Sequence, residues 1–94
     1  MNDYLKNWIV ALRSDVFSQI TGAYFRRNDN GTQCYCALGL GLAVTGLSND
    51  RKLMEVCGLR SCIRSDVVRW NDDDGLTFSQ IAEKLEAEYE QRQE

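Results

Sequence analysis

Four cysteines are the most reactive side chains in this 94-residue chain, spaced as Cys34-x-Cys36 and Cys57-x4-Cys62. Four thiolates make a complete tetrahedral set for zinc, but neither spacing is the usual C-x2-C knuckle. Cys36 also opens a long apolar run, and free cysteine behaves as a small buried apolar group. Structural thiols are the expectation; zinc, a disulfide or a reactive thiol are the alternatives. Asn71-Asp72-Asp73-Asp74-Gly75 invites a calcium loop. If Gly75 is the sixth position of an EF-hand, Trp70 and Ile81 fall where oxygen ligands are required, and neither can serve. The acids are better placed ending one helix and preceding the next.

Histidine is absent, which removes the commonest general base and metal ligand. Gly39-x-Gly41 has Val44 where a dinucleotide fingerprint needs a small residue, and no P-loop is present. No enzyme activity, cofactor or metal is expected. Arg26 and Arg27 beside Tyr24 and Tyr35 form a candidate cationic-aromatic surface for a small anionic, phosphate-bearing ligand. Cross-strand stabilisation of a hairpin explains the same four residues.

The elements that would position these groups are legible. Asn2 or Asp3 caps a first helix in which Leu5, Trp8, Ile9 and Leu12 form one apolar stripe, fading near Ser14. Asn30-Gly31 between two strand-like runs signals a hairpin. A two-residue loop pairs Arg27 with Cys34 and Phe25 with Cys36. Phe25, Cys34 and Cys36 then share a buried face, opposite Tyr24, Arg26 and Tyr35. Cys36–Thr45 reads as a helix ended by Gly46, apolar all round and so the central, most buried element. Its Gly39 and Gly41 are expected where a neighbour approaches closely. Ser48 caps a short helix bearing Leu53, Met54 and Val56 and closed by Gly58. Ile63, Val67 and Trp70 mark another helix. Thr77-x-x-Gln80 is a capping box, with Leu76 and Ile81 at the staple positions. Phe78, Ile81, Ala82, Leu85 and Tyr89 make the last helix's buried stripe.

Length and composition indicate one domain spanning residues 1–94, of α+β class, with four to five short helices around a β-hairpin. The Cys36–Thr45 run is too short to span a membrane, and Met1–Lys6 does not resemble a signal peptide. A cytoplasmic location with reduced cysteines is expected. Charge is uneven: residues 1–65 carry eight basic side chains against five acids, and residues 66–94 three against nine. Glu83, Glu86 and Glu90 are therefore candidates for contact with a basic partner, although a solvated helix face is the simpler explanation of them. Phe78–Leu85 resembles the first helix of a helix-turn-helix, but acid-rich residues follow where a DNA-reading helix belongs. Direct DNA binding is not expected.

The order Trp8-Ile9-x-Ala11-Leu12-Arg13-Ser14, Gly22-Ala23, Cys36-Ala37-Leu38-Gly39 and Val67-x-x-Trp70-Asn71-Asp72-x-x-Gly75-x-Thr77-Phe78-x-x-Ile81-Ala82 resembles a family of small phage and prophage proteins. Members commonly carry adjacent cysteines and a leucine where Trp70 stands. The resemblance implies phage origin and transfers no catalytic or binding residue. The expected role is a phage accessory protein that binds a host protein, with a component of a host defence system as one target. The alternatives are an oligomer that sequesters a nucleotide-like ligand and a minor virion or assembly component.

Overall fold

The short side chain of Asn2 supplies the acceptor that starts the first helix, taking the Leu5 N–H at 3.0 Å. In the computed structural model, which describes residues 2–93, helix α1 (Asp3–Arg13) follows, with Leu5, Trp8, Ile9 and Leu12 buried. Strands β1 (Ser18–Gln19), β2 (Phe25–Arg27) and β3 (Gln33–Tyr35) come next. Helices α2 (Ala37–Thr45), α3 (Asp50–Cys57), α4 (Ile63–Asp72) and α5 (Phe78–Gln93) complete the α+β fold. None of the helices described is long and apolar enough to cross a membrane.

Cys36 caps α2, its Sγ accepting the Gly39 N–H at 3.3 Å, and Gly46 closes the helix in the left-handed conformation. The helix packs on α1, α3 and α4 and meets β3, so it is central as expected. It is not buried throughout: Ala37–Gly41 are covered, whereas Ala43 is exposed and Leu42, Val44 and Thr45 are half-buried. A chain this small has too little material to wrap a central helix on every side. The cap of α3 is Asn49, not Ser48. Its Oδ1 accepts from the Arg51 and Lys52 N–H groups at 2.8 and 3.3 Å, a role for which asparagine ranks with serine.

The hairpin differs by one register step from the two-residue loop. Phe25 pairs with Tyr35, Arg26 with Cys34 and Arg27 with Gln33. The Asn28 N–H donates to Thr32 O at 2.8 Å, and the Gly31 N–H to Asn28 O at 2.9 Å. Three residues, Asp29 to Gly31, thus form the loop, with Gly31 at φ +85° in the left-handed position such a loop requires. A one-residue shift turns one strand's side chains over relative to its neighbour's. Tyr24 and Arg26 consequently share a face with Cys34 and Cys36, whereas Phe25 shares one with Tyr35. Phe25 is 61% exposed, contrary to the buried face expected for it.

The sheet order is β1-β3-β2, with β1 parallel to β3. The sequence shows no signal for the two-residue β1. Pairing with β3 defines it, and the Ile20 N–H extends the ladder to Tyr35 O at 2.9 Å.

The capping box of α5 forms as expected. The Gln80 N–H donates to Thr77 Oγ1 at 3.2 Å and the Thr77 N–H to Gln80 Oε1 at 2.9 Å. Thr77→Ala is expected to cost about 1 kcal/mol in urea denaturation. Because the two side chains serve one reciprocal motif, adding Gln80→Ala should cost less than its separate effect. Strictly additive losses would contradict the box.

Burial also gives the fold an alkaline limit. Cys57 is fully buried, and loss of solvation pushes its thiol up from 9.0 to about 12. A raised folded-state value contributes stability below the unfolded value, which is lost as pH rises through the folded one. The melting temperature should therefore fall between pH 9 and about 12. Cys57→Ala should flatten that decline, and an unchanged slope would show that other groups cause it.

Candidate functional site

The root of the hairpin can lie directly on α2 because Gly39 has no side chain. A Cβ there would stand 1.8 Å from the Tyr24 carbonyl oxygen. That oxygen accepts the Cys36 N–H at 3.1 Å, continuing the register of the hairpin. The same contact carries the Tyr24 side chain towards α3, where its hydroxyl donates to Asp50 Oδ2 at 2.7 Å. Arg64 Nη1 approaches the other oxygen of Asp50 at 3.6 Å. The hydrogen bond to Asp50 raises the Tyr24 phenol above its ordinary value, helped by burial and the Asp50 charge.

Beside Tyr24 opens a cleft of about 360 Å³ between the hairpin root, the start of α2 and one side of α4. Ala23, Leu38, Val67 and Val68 give it apolar walls, and Cys36, Asn71 and Asp72 supply its polar groups. Among the described residues, no basic side chain lines it. The Cys36 thiol is raised, mainly by burial and further by the Asp72 charge, and it is held in the neutral form.

Asn71 is 2% exposed and hydrogen-bonded on both ends of its amide. Its Oδ1 accepts from Gln19 Nε2 at 2.8 Å and from the Ala37 N–H at 3.1 Å. Its Nδ2 donates to Ile20 O at 2.8 Å and to Asp72 Oδ1 at 2.7 Å. One amide thus ties the end of α4 to β1 and to the first turn of α2. With both donor hydrogens engaged, it positions the cleft's walls rather than offering a donor to a ligand. A signal for this residue was present: Asn71 follows Ile63, Val67 and Trp70 at the next buried position of α4, a polar residue on an apolar stripe.

No family model, curated protein or solved structure matches this chain. The chemistry of its surfaces therefore carries the functional reading.

The residues expected to form an anion site are dispersed. Tyr24 stands at the cleft, and Tyr35 is half-buried with its ring edge-on to Phe17 at 5.9 Å. Arg26 and Arg27 are exposed successive residues of β2, so they point to opposite faces. They border a separate depression with Asn28, Asp29 and Asn30. On α5, Glu83 and Glu90 are exposed. Glu86 is half-buried and paired with Arg13, so it fastens α5 to α1 instead of standing free as expected.

The cysteines do not converge. Cys34, Cys36 and Cys57 are buried and Cys62 is exposed, all as free thiols. Among the described residues, no group of three or more His, Cys, Asp or Glu could hold a metal ion.

Proposed function

We propose that this chain is a small phage accessory protein that acts in the host cytoplasm by binding a host protein, a defence-system component being the target class. The cleft beside Tyr24 carries this reading. Its rim presents Tyr24, 48% exposed, and Val68, 41% exposed, beside an apolar recess. Such a recess fits a side chain of a partner, and large side chains in desolvated pockets supply most of the binding energy in protein interfaces. Asp72 in the cleft disfavours a phosphate-bearing ligand there. The resemblance of Trp8–Ser14, Cys36–Gly39 and Val67–Ala82 to small phage proteins supports the phage assignment.

The test begins with capture of partners from expressing host cells by the tagged protein. A partner retained by wild type is then purified and its affinity measured directly. Val68→Arg should weaken that complex at least about tenfold by filling the recess. Arg26→Glu with Arg27→Glu should leave it nearly unchanged. Reversing Glu83 and Glu90 to Lys should slow association only if the partner also reaches α5. A complex indifferent to Val68→Arg would refute the cleft as the docking site. Loss of a bound nucleotide-like metabolite in the arginine double variant would instead support sequestration.

A further inference from the structure

The cleft's chemistry specifies the anchor it would accept, given the reading of the site as a protein-docking surface. We infer that it receives a positively charged side chain, arginine or lysine, from the partner.

Three features of the cleft fit such a group. First, Ala23 and Val68 offer an apolar wall backed by the buried Leu38 and Val67, and the methylene stem of a long basic side chain packs on such surfaces while its charged head stays at a polar rim. Second, Asp72 lines the cleft and, among the described residues, no basic side chain does; Arg64, beyond Tyr24 and Val68, is paired with Asp50. Its Oδ1 accepts from Asn71, which fixes the carboxylate in place. Arg69, the basic residue of the last turn of α4, pairs with Asp66 and Asp74. Third, Tyr24 adds an aromatic face at the rim, where a cation is attracted by the ring. Asp72 and Cys36 line the same recess, so the carboxylate charge lies at its wall. An acidic or phosphorylated anchor would meet that charge unfavourably, and a purely apolar one would leave the carboxylate without a counter-charge.

The experiment uses the intact chain with labelled methyl groups, titrated separately with acetyl-arginine amide, acetyl-lysine amide and acetyl-norleucine amide. The two cations should produce saturable shifts at Leu38, Val67 and Val68, and the neutral amide should bind at least about tenfold more weakly. Asp72→Asn keeps the acceptor for Asn71 while removing the charge. It should weaken binding of the cationic amides about three- to fivefold. Asp73→Asn makes the same change in net charge outside the cleft and should shift affinity less than about twofold. Equal binding of norleucine amide, no methyl shifts with any amide, or equal effects of the two substitutions would each overturn the inference. Should Asp72→Asn fail to fold, the wild-type comparison of charged and neutral amides decides alone. The docking reading would survive such a failure, because it stands or falls on Val68→Arg.

Discussion

Gly39→Ala is expected to destabilise the protein by about 3 kcal/mol, the upper end of ordinary overpacking. On propensity alone, alanine in a helix interior should stabilise by about 1 kcal/mol. The two effects have opposite signs, so the measurement is decisive. A Cβ at this position would lie 1.8 Å from Tyr24 O and 2.7 Å from Tyr24 C, both backbone atoms that cannot rotate away. The hairpin root must lift from α2, straining the bond between the Cys36 N–H and Tyr24 O and opening the cleft. A fall in melting temperature of more than about 10 °C is expected, with altered chemical shifts at Tyr24 and Val68. A variant as stable as wild type would show that the hairpin does not rest on α2. Gly41 is a gentler case, since a Cβ there would meet side-chain atoms of Trp8 and Leu53 at 2.8 Å. Leucine at this position would still overpack the core, at roughly 1–3 kcal/mol or more.

Asn71→Leu should be comparably damaging, although leucine is apolar, similar in size and a good helix former. The substitution leaves the Ala37 N–H, the Ile20 carbonyl and the Gln19 amide without their partner. Each buried polar group left unsatisfied costs about 1–3 kcal/mol, and a total near 3–5 kcal/mol follows. Gln19 retains a second acceptor, Leu76 O at 2.8 Å, so its share should be the smallest. Equilibrium denaturation of Asn71→Leu, Gln19→Leu and the double variant separates these contributions. The double variant should lose less than the sum of the singles, because the two amides bond to each other. A loss below about 1 kcal/mol for Asn71→Leu would mean that water replaces the missing partners.

The helices were legible because their signals are local. The stripe Leu5, Trp8, Ile9, Leu12, the Thr77–Gln80 box and the glycine stops at 46 and 58 act within a few residues, and each yields the same element in the fold. Caps are decided on a finer scale, and the serine at 48 and the asparagine at 49 compete for one boundary on nearly equal terms. The hairpin's existence was equally readable from Asn30-Gly31, but its register was not. Two-residue and three-residue loops both accommodate that pair, and the choice between them determines which side chains meet the core. That choice exposed Phe25 and carried Tyr24 onto the face of Cys34 and Cys36. Residues of opposite charge on α5 and α1 became the Arg13–Glu86 pair only when the helices packed. The cleft lies wholly beyond local reading: Ala23, Leu38, Val68 and Asp72 belong to three segments, and none marks itself as functional. Sequence by itself determined where the chain would coil, turn and stop, because those choices depend on neighbours along the chain. Only the tertiary structure decided which surfaces enclose a recess and which polar group ties them together. Those properties depend on neighbours in space: the Gly39–Tyr24 contact and the Asn71 hydrogen bonds join residues far apart along the chain.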